Sequence, residues 1–78
     1  MEIVTSPDAN AGSIWFERPA RGIDVMLSDD IIVSLDDGRL TSVEILNLSH
    51  WGTPFDEAAA ERVLAWVHDQ LAARDAAS

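Results

Sequence analysis

The chain has 78 residues, with 14 Asp and Glu against 5 Arg, no Lys, and a formal charge of -9. A domain this small buries only about 60% of the surface its unfolded form exposes, which leaves room for one domain over 1–78 and none for a deep cofactor cleft. Nucleic acid and anionic membrane surfaces are excluded as partners, because both demand clustered Lys and Arg.

The 47% of hydrophobic residues places the chain outside the disordered class despite its charge. Cysteine is absent, which removes disulfides, thiolate catalysis and thiolate metal sites together. Small secreted domains ordinarily rely on such staples, so the expected location is cytoplasmic. Met1-Glu2-Ile3-Val4 shows no basic region followed by an apolar run, so no secretory signal is read there. No apolar run approaches the length of a membrane span.

Residues 1 to about 52 alternate with a period near two, and 53–75 follow the helical period, leaving 76–78 as a frayed tail. A first strand is expected at Glu2–Thr5, followed by a turn cluster over 6–12. Ser13–Arg18 alternates next, with Ile14 and Phe16 on one face and Trp15 and Glu17 on the other. Pro19 and Gly22 bracket a turn, and Ile23–Leu27 alternates again.

Ile31–Leu35 and Arg39–Leu46 flank Asp36-Asp37-Gly38 and predict a hairpin. A two-residue Asp37-Gly38 turn pairs Val33 with Ser42 and mixes polar and apolar residues on both faces. A three-residue loop with Gly38 in a bulge pairs Val33 with Thr41 and Ile31 with Val43. That register gathers Ile31, Val33, Leu35, Thr41, Val43 and Ile45 on one face. A buried face specifies register strongly, so the bulged loop is the expected turn.

Thr53 is the expected helix N-cap, with Pro54 at the first helical position and Asp56-Glu57 complementing the dipole. Ala60, Val63, Leu64, Val67 and Leu71 form the apolar stripe, flanked by Ala59 and Trp66. The expected fold is therefore α+β: an antiparallel sheet of about four strands with one C-terminal helix on one face. Trp15, Ile32, Leu40, Leu48 and Trp51 fall on the second sheet face or its edge. So small a fold with apolar residues on an uncovered face points to a homodimer or a protein partner.

Chemistry-bearing patterns are sparse. His50 and His68 have no second imidazole at ligand spacing. Asp29-Asp30 and Asp36-Asp37, with Glu44, could offer oxygen ligands to a hard cation, but their spacing is not that of a calcium loop. The same pairs are explained by a strand start and a turn. Ser34, Ser42 and Ser49 lack a nucleophile elbow, and four scattered glycines make no phosphate loop. Ser49–Phe55 reads first as a hydrophobic staple and second as a ligand pocket. No catalytic, cofactor-binding or metal residue is assigned, and no cofactor is expected.

Residues 30–46, an acidic Gly-containing hairpin followed by Val43-Glu44-Ile45, resemble a family of short bacterial domains of unknown function. Pro7-Asp8-Ala9-Asn10 followed by Ile14-Trp15-Phe16 is similar to that family's opening strand pair, so the likeness covers about residues 1–48. Ser34 stands where an Asp is common in the family, and Ser42 where a Gly is usual. The resemblance implies a small β-rich fold with no assigned activity. Some members are encoded beside small toxin-like proteins, which implies an antitoxin-like or regulatory role.

The leading expectation is a non-enzymatic interaction module. One alternative is an acidic nucleic-acid mimic that inhibits a basic partner. The other is a small metal-dependent enzyme around Glu44, Asp36 and His50.

Overall fold

A computed structural model of the chain describes residues 1–18 and 21–77, with side chains to Asp75. The expected turn residue Pro19 and the tail residue Ser78 lie outside the described residues. Period-two patterning becomes five strands, one more than the approximate four expected: β1 (Glu2–Ser6), β2 (Ala11–Trp15), β3 (Ile23–Met26), β4 (Ile31–Asp36) and β5 (Arg39–Ile45). They form one antiparallel sheet in the order β1-β2-β5-β4-β3. The β4–β5 hairpin is central, and β2 crosses over to pair with β5.

The hairpin corrects the expected register. Asp37 and Gly38 both take positive φ, 53° and 80°, which makes a two-residue turn with Asp36 opposite Arg39 and Leu35 opposite Leu40. Continued unchanged, that register would set Val33 against Ser42. Instead the register shifts between Ser34 and Leu35, and Val33 meets Val43 while Ile31 meets Ile45. The extra residue is Thr41, which is fully buried. Its hydroxyl lies within 3.0 Å of Arg21 O and 3.1 Å of Ser34 O, and its carbonyl accepts the amides of Phe16 and Glu17. The observed partners differ from the expected ones by two residues. With a side-chain period of two, that difference leaves the residues beyond the bulge on their expected faces, while Leu40, on the turn side of it, passes to the core face opposite Leu35.

One face holds Ile14, Ile31, Val33, Val43 and Ile45, all buried, and receives Ala60, Val63 and Val67 from helix α1 (Glu57–Ala77). Burial of this kind contributes roughly 25 cal/mol per Å² of apolar surface. Leu64, Trp66 and Leu71 pack around its margin. The helix start differs from expectation. Asp56, not Thr53, is the cap: its Oδ1 accepts the Ala59 amide at 3.0 Å and its carbonyl accepts Ala60 N–H. Pro54 lies before the helix, joined to Thr53 by a cis peptide. Phe55, immediately before the cap, packs against the cluster containing Ala60, the arrangement of a hydrophobic staple.

Candidate functional site

The face that α1 leaves open is built by two cross-strand rows. In one, Trp15 on β2 stands opposite Ser42 on β5, Ser42 opposite Ser34 on β4, and Ser34 opposite Asp24 on β3. In the other, Ser13 stands opposite Glu44, Glu44 opposite Ile32, and Ile32 opposite Met26. Serines reach little above the backbone, whereas Trp15, Ile32 and Glu44 stand tall. The result is a trough of about 290 Å³ lined by Ser13, Trp15, Asp24, Ile32, Ser34, Ser42 and Glu44, with Val43 at its base.

The charges of this face are unevenly paired. Arg18 bonds Glu2 at 2.9 Å and sets its guanidinium 4.8 Å from the Trp15 ring centroid. At the hairpin end Arg39 reaches Glu17 at 2.7 Å and Asp36 at 3.4 Å. The hydrogen bond to Glu17, followed by that carboxylate's charge, raises the Arg39 pKa above its ordinary value. Asp24 accepts the Ser34 hydroxyl at 2.6 Å, and Glu44 is exposed. Among the described residues, neither Asp24 nor Glu44 has a cationic partner.

Comparison of the chain with protein-family models, curated proteins and solved structures finds no match.

Of the five residues expected at an interface, Trp15 and Ile32 meet at the trough and the other three lie elsewhere. Leu40 faces the core, because the Thr41 bulge places it opposite Leu35. Leu48 is buried beside Gly12, where a Cβ would come within 3.0 Å of Leu48 Cδ2. Trp51 packs against the core edge-on to Trp66, with ring centroids 6.1 Å apart, while its carbonyl accepts Arg62 Nη2. The indole N–H groups of Trp15 and Trp51 are both buried without an acceptor. The alternation along β4 and β5 by itself sets Ser34, Ser42 and Glu44 on this face. Ser13 and Asp24 join them only through the strand order.

A second cavity of about 380 Å³ opens where sheet meets helix, between Thr5, Pro7 and Leu48 on one side and Gly52, Pro54 and Phe55 on the other. Its rim is held by Asn10, left-handed at φ 52°. The Asn10 Nδ2 donates to Asn47 Oδ1 at 2.8 Å and to Ser49 Oγ at 3.1 Å, and its Oδ1 accepts Ser49 N–H at 3.0 Å. Among the described residues, no titratable side chain lines this cavity.

The remaining candidates are dispersed. Glu44 lies mid-β5, Asp36 at the hairpin turn and His50 in a 3-10 turn after β5, edge-on to Trp51. His68 is exposed on α1. Among the described residues, no group of three or more His, Cys, Asp or Glu is placed to hold a metal ion. No described helix is long and apolar enough to cross a membrane.

Proposed function

We propose that the protein is a non-enzymatic interaction module of the cytoplasm that recognises another protein through the open face of its sheet. One observation carries this reading: α1 covers a single face, and the other keeps Trp15 and Ile32 at a trough with Val4 and Met26 exposed on the flanks at 38% and 63%. The occupant is a different protein and not a second copy. Two copies stacked about 10 Å apart by this face would bring together the unneutralised Glu44 and Asp24 of chains that each carry -9, and like charges in an interface are costly. An antitoxin-like protein is one form of this role. Of the other carboxylates, Glu2, Glu17 and Asp36 are engaged by Arg18 and Arg39. The rest are dispersed over the turn after β1 (Asp8), the β3–β4 turn (Asp29, Asp30), the hairpin tip (Asp37) and the cap and length of α1 (Asp56, Glu57, Glu61, Asp69, Asp75). Mimicry of a phosphate row therefore has less support.

Affinity capture from the native host with two variants tests the reading. Ile32→Glu charges the open face, and Ala65→Glu charges the exposed side of α1. Loss of a captured partner by the first and its retention by the second is the expected result. Equal retention by both refutes the module. Light scattering should show a monomer; a dimer broken by Ile32→Glu would make the second copy the occupant.

A further inference from the structure

The walls and floor of the trough specify more than a generic protein contact. We infer, resting on the docking role proposed above, that the trough takes a basic side chain of the partner, an Arg or Lys whose stem lies between Trp15 and Ile32 and whose cation meets Glu44 and Asp24.

Strands lie about 4.8 Å apart, so the row from Trp15 through Ser42 and Ser34 to Asp24 spans about 14 Å at the backbone. Glu44 follows Ser42 by two residues on β5, about 7 Å along the same face. A cation entering over the serines therefore has a carboxylate at the end of its own row and another in the adjoining row. The two arginines of this face are already engaged by Glu2, Glu17 and Asp36. Any neutral or anionic segment laid over the trough would desolvate Asp24 and Glu44 without a counter-charge, the costly arrangement. A basic side chain supplies that charge and donates to carboxylates and serine hydroxyls, forming charge-assisted bonds. Its methylenes suit apolar walls, because long basic side chains lay their stems along apolar surface and leave only the head polar. A bare metal ion has no use for those walls and finds no third acidic or imidazole ligand among the described residues.

The test is an amide and indole NMR titration of the full chain with the capped peptide Leu-Arg-Leu-Arg-Leu. Its neutral counterpart, with citrulline for both arginines, is the control. The Arg peptide should shift Ser13, Ser34, Ser42 and the Trp15 indole. Both citrulline replacement and Glu44→Gln should weaken binding about tenfold, the scale of one charged hydrogen bond. Glu44 is exposed, so that variant retains the fold. Equal binding of the two peptides at this face would overturn the basic anchor and leave the docking role standing. Shifts confined to α1 and unaffected by Glu44→Gln, or no shift at all, would overturn the anchor as well. Capped arginine alone binding as tightly as the peptide would assign the trough to a small cation and overturn the partner-borne anchor. The docking role itself falls only on the separate Ile32→Glu and Ala65→Glu comparison.

Discussion

The hydroxyl of Thr41 lies 3.1 Å from the carbonyl oxygen of Ser34, at the one step where β4 and β5 slip by a residue. That slip returns Val33 to Val43 and Ile31 to Ile45 after a two-residue turn that would otherwise have misaligned them. The buried hydroxyl also reaches Arg21 O at 3.0 Å, so Thr41 ties the bulge to the loop before β3.

Thr41→Val keeps the shape of the side chain and removes its donor. A lost buried hydrogen bond costs about 1–3 kcal/mol, and a domain of this size loses about 4–8 °C of Tm per kcal/mol. Thermal unfolding by circular dichroism should show a drop within that range. An unchanged Tm would mean that the bulge stands without its hydroxyl.

The two positive-φ glycines should differ sharply on substitution. A Cβ on Gly22 (φ 99°) would lie 1.9 Å from Leu35 O, whereas one on Gly38 (φ 80°) meets nothing within 4 Å. Gly38→Ala should carry only the left-handed backbone cost, about 1–2 kcal/mol. Gly22→Ala adds a backbone clash and should cost more than about 3 kcal/mol. Urea unfolding midpoints of the two variants check the order.

Asn10 combines a left-handed backbone with three side-chain hydrogen bonds to Asn47 and Ser49. Asn10→Gly preserves the conformation and removes the bonds, so its cost, about 1–3 kcal/mol, reports the polar clamp. Asn10→Ala should cost about 1 kcal/mol more, the left-handed penalty. Equal midpoints in urea would remove the backbone contribution.

The observed cap gives a direct comparison at the helix start. Asp56→Ala removes the acceptor of the Ala59 amide and should destabilise the protein by about 1 kcal/mol. Thr53→Ala touches no cap and should fall within about 0.5 kcal/mol of wild type. A larger loss for Thr53→Ala would place the cap at the residue the sequence suggested. Chemical denaturation separates the two.

Much of the sheet was legible because strand alternation is local. Ile31, Val33, Val43 and Ile45 declare one face through their spacing alone, and the observed core contains all four. The stripe on α1 was legible for the same reason, with Ala60, Val63 and Val67 buried where the helical period sets them. The cap was not: Thr53 and Asp56 are both good N-caps, and the choice rests on where Phe55 meets the core.

The candidate site divides along similar lines. Sequence by itself determined that the chain is acidic, that a hairpin turns within Asp36-Asp37-Gly38, and that Ser34, Ser42 and Glu44 share a face opposite the core. Only the tertiary structure decided that the face stays open, that Leu40, Leu48 and Trp51 turn inward, and that Asp24 completes a serine row begun at Trp15. The reason is physical. Alternation places a side chain above or below its own strand, but which strands lie side by side depends on long-range pairing. That pairing is set by the bulge at Thr41 and by the crossover that puts β2 against β5. A trough made of residues from β2, β3, β4 and β5 comes into being only with that strand order.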